Sequence, residues 1–305
     1  MQLSFDNVTK LYGPVIGVNN ISCHVGPGIT GLFGSNGAGK STMLKLASGQ
    51  LRPTQGEVRI GQHHAWSSRA KRDMGLSPDL NHFYEEMSGR AFVNSMARLY
   101  GYPRKEARLR TEYVLEEVGM ADRASRTIAG MSHGMRQRIK LAQALVNDPP
   151  VLLLDEPMTG IDPGGRRDIS EVLTRQAATG KTILFSSHIL VELEHVADSI
   201  LMIARGRIIA SGKLNDVRNL IDDEPFTVEI ISEESRRLAP HVIEISIVES
   251  VSVRGDSLIV RTRTPQQFFA RIGEIVLEQD LQVQKMHLLD TGADAVFGYL
   301  EGTQP

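Results

Sequence analysis

One cysteine, Cys23, occurs in 305 residues. No internal disulfide can form, which is compatible with a reducing cytosol. No apolar run approaches the ~20 residues needed to cross a bilayer. The chain is therefore expected to be soluble by itself, and a partner must supply any membrane segments that its work requires. The first residues, MQLSFDNVTK, lack the apolar core of a signal peptide. No basic block is present and the net charge is −2, so electrostatics give no ground for nucleic-acid binding. Solenoid repeats, low-complexity tracts and sustained heptads are also missing.

What is present is a globular composition, 41% apolar and 23% charged, in a chain long enough for two domains. The first segment reads as β-rich. Leu3, Phe5 and Val8 lie along strand-like runs, Val15–Val25 is similar, and Gly13-Pro14 and Gly26-Pro27-Gly28 mark turns. Glu57–Ile60 reads as an edge strand. From about residue 77 to 148 the pattern turns helical, with Phe92, Met96 and Leu99 on one face of a helix that Ser88 can cap. Further helices carry Val114, Leu115 and Val118, and then Gly134–Asn147, which Pro149-Pro150 stops. Val151–Leu154 and Thr182–Phe185 suit buried parallel strands, with helices expected over Arg166–Ala178 and Ile189–Ala197. Ser199–Ala204 and Arg207–Ala210 form a strand pair. A polar stretch near Asn215–Pro225 marks a boundary. Beyond it the order reads β-α-β-β-α-β: Phe226–Ile231, Glu233–Ala239, Val242–Val253, Ser257–Thr262, Pro265–Leu277 and Leu281–Leu288. That is the ferredoxin-like order, and a last helix is expected over Ala293–Leu300.

The strongest chemical signal is GSNGAGKST: Gly34, Ser35, Asn36, Gly37, Ala38, Gly39, Lys40, Ser41 and Thr42. It fits the phosphate-loop pattern between an apolar strand, Ile29–Phe33, and a helix start. Glycines let successive N–H groups face phosphate oxygens, and the helix adds its positive end. Lys40 should reach the β- and γ-phosphates and Ser41 should ligate Mg²⁺. Asp155 and Glu156 follow the second apolar strand, at the end where open α/β sheets bind ligands. Asp155 could hold Mg²⁺ opposite Ser41, and Glu156 could polarise the attacking water. Alone, such a pair reads as solvated acids capping a strand. Ser132 and Gly134 open a helix, where a phosphate could sit, although taken alone they read as a simple N-cap. His188 follows the next strand and could orient a water. Tyr12 could stack on an adenine or merely pack.

Taken in order, GSNGAGKST, MSHGMRQR, LLLDEP, TGIDP and SSH resemble the nucleotide-binding subunit of an ABC transporter over roughly residues 1–215. The resemblance implies a P-loop NTPase core with a parallel sheet, a β-rich N-terminal part and a helical subdomain at about 77–148. The ATPase domain would span 1–218 and a C-terminal α+β accessory domain 225–305. It implies ATP and Mg²⁺, and a homodimer that sandwiches two ATP molecules. Ser132 and Gly134 would then meet the γ-phosphate of the partner's ATP, and Asp162 would fall in the loop joining the two sites. Glu156 would be the base, His188 the switch histidine and Tyr12 the adenine-stacking ring.

Residues Phe83–Arg90 and 294–297 resemble the exporter branch, whose ATPases are separate chains working with an integral membrane permease on the cytoplasmic face. Phe83 and Tyr84 would line the groove for a permease helix, or else belong to the helical core. Two positions depart from the family pattern. His133 replaces the first signature glycine, and Asp79 stands where a glutamine is usual, beside the Mg²⁺ and the water. Slower or differently regulated hydrolysis is expected from Asp79. Rival readings are a soluble ABC ATPase of translation or DNA repair, and an ATP-binding regulatory module.

Overall fold

A computed structural model describes residues 1–79, 83–213 and 225–288. The chain divides into two compact units, Met1–Leu214 and Asn215–Pro305.

The first unit holds two sheets. Strands β1 (Leu3–Tyr12), β2 (Val15–Val25), β4 (Gln55–Ile60) and β5 (His63–His64) make an antiparallel sheet in the order β2-β1-β4-β5. Gly13, at φ 59°, turns β1 into β2 so that Tyr12 pairs with Val15. Strand β4 was expected at an edge but is paired on both sides, because β5 bonds to Arg59 and Ile60. A two-residue strand leaves no periodic signal.

The second sheet runs β10-β9-β3-β8-β7-β6. It comprises β3 (Gly28–Phe33), β6 (Met74–Ser77), β7 (Val151–Leu154), β8 (Thr182–Ser187), β9 (Ser199–Ala204) and β10 (Arg207–Lys213). Its strands are parallel except β10, which is antiparallel to β9. Every residue of β7 and β8 is buried, as both faces of a parallel sheet require. The register sets Phe33 beside Ser187, Phe185 beside Leu154, and Leu154 beside Ser77. The carboxyl ends of β3, β8, β7 and β6 therefore open onto one edge. Helix α1 (Lys40–Ala47) packs Met43, Leu44 and Leu46 into a core shared with Leu3, Phe5 and Val58 of one sheet and Leu153, Leu184 and Leu201 of the other.

A short helix α2 (Ser68–Arg72) precedes β6. Three longer ones follow: α3 (Gly89–Leu99), α4 (Arg104–Glu117) and α5 (His133–Leu145). Ser88 caps α3 as expected, accepting from the Ala91 N–H at 3.2 Å. The buried face of α3 is Phe92, Val93 and Ala97, whereas Leu99 is 79% exposed and does not join the core. Phe83 packs edge-on against Phe92 while Tyr84 is exposed, so the two aromatics separate between core and surface. Helices α6 (Pro163–Ala178) and α7 (Leu190–Glu194) complete the unit, α7 being shorter than expected.

The second unit has β11 (Phe226–Ile231), α8 (Ser235–Ile243), β12 (Val248–Arg254), β13 (Ser257–Thr262), α9 (Pro265–Glu278) and β14 (Lys285–Leu288). The antiparallel order β12-β13-β11-β14 is that of a split β-α-β unit. Val242 was expected to begin a strand. It ends a helix instead, because Leu238 and Val242 share the helix face buried on this sheet. The expected helix over 293–300, and the stretch 294–297, lie outside the described residues. No helix among the described residues is long and apolar enough to cross a membrane.

Candidate functional site

The loop between β3 and α1 is shaped by close backbone approaches. A Cβ on Gly34 would stand 2.5 Å from the Ile203 carbonyl oxygen. Gly39, at φ 114°, caps α1 without a side-chain bond, and α1 has no acid in its first turn. The first N–H groups and the positive helix end thus remain available to an anion. Ser35, Asn36 and Gly37 are exposed at the loop tip, while Ala38 is buried and its carbonyl accepts from the Gly206 N–H at 2.8 Å. Lys40 is 6% exposed. Its ammonium donates to Gly34 O at 2.7 Å and Ser35 O at 3.2 Å, and lies 3.4 Å from Glu156 Oε1.

The two acids after β7 face different partners. The Asp155 carboxylate accepts from Ser186 Oγ at 2.7 Å and from the Ser41 hydroxyl. Burial pushes its carboxyl above the ordinary range. The two serine hydrogen bonds oppose that shift, and the charges of Asp79 and Glu156 add to it. Glu156 turns away through a positive φ of 48°. Its N–H donates to Ser186 Oγ at 2.9 Å, so one hydroxyl on β8 orients both acids. Glu156 Oε2 accepts from His188 Nδ1 at 3.0 Å and from Thr159 Oγ1 at 2.9 Å. Neither Ser186 nor Thr159 had been assigned a role from the sequence. Behind His188, Ser187 Oγ donates to buried Glu192 at 2.7 Å, and Arg166 of α6 lies 3.3 Å from the same carboxylate.

Tyr12 is 43% exposed. A Cβ on Gly17 would meet its ring at 2.6 Å, and its hydroxyl is 3.5 Å from Thr42 Oγ1. The ring therefore lies over the β2 backbone at Gly17, with its hydroxyl toward the end of the phosphate loop. Asp79 is exposed and, with Ser41, Gln50, Leu76 and Asp155, lines a cavity of about 420 Å³. Lys140, buried on α5, donates to Pro78 O at 2.9 Å and Asp79 O at 3.0 Å. Burial lowers its affinity for a proton, and the charges of Asp79 and Asp155 counter this.

One edge of the sheet thus gathers Lys40, Ser41, Thr42, Asp79, Asp155, Glu156, His188 and Tyr12. Ser132, Gly134 and Asp162 fall elsewhere in their bonding. Ser132 caps α5 through the Met135 N–H at 3.4 Å, Gly134 lies in the first turn, and Asp162 caps α6 through the Gly165 N–H at 3.4 Å. None of the three hydrogen-bonds to residues 34–42 among the described residues. His133 Nε2 is 2.8 Å from Thr159 O. Among the described residues no cluster of three His, Cys, Asp or Glu side chains could hold a metal alone. Ser41, Asp155 and Asp79 offer oxygen only, which suits a hard cation such as Mg²⁺ that takes its other ligands from water and phosphate.

The ABC transporter family model matches residues 18–159. The Nod factor export ATP-binding protein I of Cupriavidus metallidurans is 33% identical over 275 residues, covering 88% of this chain and 89% of that protein. The chain belongs to the ABC transporter ATP-binding family. An uncharacterised ABC transporter ATP-binding protein of Synechocystis sp. is 34% identical over 223 residues, which cover 72% of this chain but only 62% of that relative's length. A solved ATP binding subunit of an ABC transporter has a TM-score of 0.66 at 29% identity, covering 72% of this chain and 93% of that one. In this ABC chain the matched stretch takes in the phosphate loop, β6, α3–α5 and both strand-end acids, whereas Tyr12 and His188 lie outside it.

Proposed function

We propose that the chain is the ATP-hydrolysing subunit of an ABC-type exporter, peripheral on the cytoplasmic face and working on a separate membrane permease. The observation that carries this is Glu156, held between Lys40 at 3.4 Å and His188 at 3.0 Å at the strand ends beside the phosphate loop. Tyr12 stacks on the adenine, and the N–H groups of 34–41 cradle the phosphates. Lys40 exchanges its loop carbonyls and Glu156 for phosphate oxygens, which frees one Glu156 oxygen. Glu156 then takes a proton from water as its oxygen attacks the γ-phosphorus, and ADP leaves. His188, donating to Glu156, holds that carboxylate in place. Mg²⁺, held by Ser41 and Asp155 with Asp79 alongside, would neutralise phosphate charge.

A second copy supplies Ser132 and Gly134 to the γ-phosphate, with Asp162 in the joining loop, so that ATP closes a homodimer. The export direction is supported by the Nod factor export relative, whose alignment runs through most of both chains. The C-terminal unit serves dimerisation or regulation. Glu156→Gln tests the assignment. The amide oxygen left by this substitution can still accept from Thr159 Oγ1 and His188 Nδ1, so ATP binding should persist and a closed dimer accumulate. Turnover should fall by roughly 10²–10⁴. Retained turnover would remove Glu156 from the role of base.

A further inference from the structure

Lys140 is among the largest fully buried side chains of the molecule, at 2% exposure. A lysine is almost never fully buried unless it is paired, because its charge must be compensated there. It lies two turns along α5 from Ser132, yet its ammonium reaches residues 61 and 62 positions earlier in the chain. The bonds go to Pro78 O and Asp79 O, two successive carbonyls. Successive carbonyls of a strand point in opposite directions. Two in a row aimed at one amine therefore mark the place where β6 has ended and the backbone has turned. Just before them, Ser77 O accepts from the Asp155 N–H at 2.8 Å. The exit of β6 is thus pinned to Asp155 on one side and to α5 on the other. Immediately beyond these bonds, Asp79 lines the cavity shared with Ser41 and Asp155.

We infer that Lys140 is a positioning residue, whose buried ammonium clamps the Pro78-Asp79 backbone to α5 and thereby sets where the Asp79 carboxylate stands relative to Ser41 and Asp155. The inference rests on the proposed ATPase reading for its kinetic consequences, but not for the clamp itself. Charge adds to geometry. Asp79, Asp155 and Glu156 bring three carboxylates to this edge; Lys40 and Lys140 are the buried cations beside them among the described residues, and the exposed Lys45 lines the same cavity as Asp79 and Asp155. An acid can stand at position 79, close to Asp155, because a buried cation lies behind its own backbone.

The test uses the full chain with Lys140→Met, which keeps length and removes both bonds and the charge, and Lys140→Gln, which removes the charge but keeps a shorter, neutral donor group. Hydrogen exchange of residues 74–79 in the nucleotide-free protein should quicken by about tenfold or more in Lys140→Met, as loss of charged hydrogen bonds implies. Calorimetry should show ATP affinity without Mg²⁺ within about twofold of wild type, and a smaller gain in affinity on adding Mg²⁺. The kcat should fall roughly ten- to a hundredfold, with KM for ATP in the presence of Mg²⁺ rising no more than the calorimetric loss of affinity. Lys140→Gln should be intermediate, and it carries the test if the Met variant does not fold. Because Lys140 acts through Asp79, Asp79→Ala and Asp79→Ala/Lys140→Met should share one kcat. Unchanged exchange at 74–79, or kcat losses that add in the double variant, would overturn the inference. A wild-type chain that neither binds nor hydrolyses ATP would overturn the functional reading instead, and the exchange measurement would still decide the clamp.

Discussion

Replacing Gly75 by alanine would drive a methyl group into the backbone of α5. The Cβ would stand 1.9 Å from Ala144 O and 2.8 Å from Pro149 Cγ. Neither neighbour is a flexible side-chain end, and β6 is paired along its length with β7. Relief requires β6 and α5 to part by more than about 1 Å. At that separation the Lys140 bonds, now 2.9 and 3.0 Å, pass beyond hydrogen-bonding range. The strain of overpacking costs about 1–3 kcal/mol. Loss of bonds to a charged amine adds about 1.5–3 kcal/mol. The sum, roughly 2.5–6 kcal/mol, is large for a single methyl group. Urea unfolding should read it as a lower midpoint at unchanged slope, and a thermal melt as a drop on the order of 10 °C. A Gly75→Ala protein within about 1 kcal/mol of wild type would refute the close approach of β6 and α5.

Two further outcomes follow from titrating groups. The Asp155 carboxyl is raised by burial, so between the ordinary carboxylate value and its raised folded value the native state binds more protons than the unfolded state. Stability falls as pH rises through that window, and above it the ionised Asp155 is a net cost to the ligand-free fold. Asp155→Asn should therefore stabilise the ligand-free protein at pH 7 by on the order of 1 kcal/mol while removing Mg²⁺-dependent ATP binding, with the stability gain shrinking toward acid pH; equal melting temperatures would count against it. The Cys23 thiol is pushed by burial from 9.0 to about 12. At pH 8 the native protein should alkylate about a thousandfold more slowly than the urea-unfolded chain, and equal rates would contradict the burial. The same thiol lowers stability as pH rises from about 9 toward 12, since the folded state keeps its proton longer.

The phosphate loop was legible because its chemistry demands particular residues at fixed spacing within a few positions. Strands β7 and β8 were legible because burial on both faces leaves an unbroken apolar run. The caps at Ser88 and Ser132 follow from side chains that can accept from a helix N–H. Strand β6 was not legible. Gly75 sits in its middle, and its extended state is imposed by pairing with β7 and by the approach of α5. Val242 misled because a β-branched residue carries strand propensity, which burial of one helix face overrode. Within the site, Ser186 and Lys140 gain their roles from partners 30 to 62 positions away. Thr159 is only three residues from Glu156, but its bond depends on the positive φ of that glutamate, which residue type does not announce.

His133 shows how a departure from the family pattern can be absorbed within one chain. It stands where the family pattern has its first signature glycine. Its ring bonds the Thr159 carbonyl, and it fits because the residue after Thr159 is Gly160, at φ 70°, where a Cβ would stand 3.1 Å from the imidazole. Thr159 in turn places its hydroxyl on Glu156. A histidine at the start of α5 and the carboxylate after β7 are thereby joined through a single threonine. The same α5 reaches the exit of β6 through Lys140. Motion of this helix relative to the parallel sheet must strain bonds to both the Asp79 backbone and the Thr159 loop. The helix that presents Ser132 and Gly134 is therefore tied, within its own chain, to the residues flanking the strand-end acids.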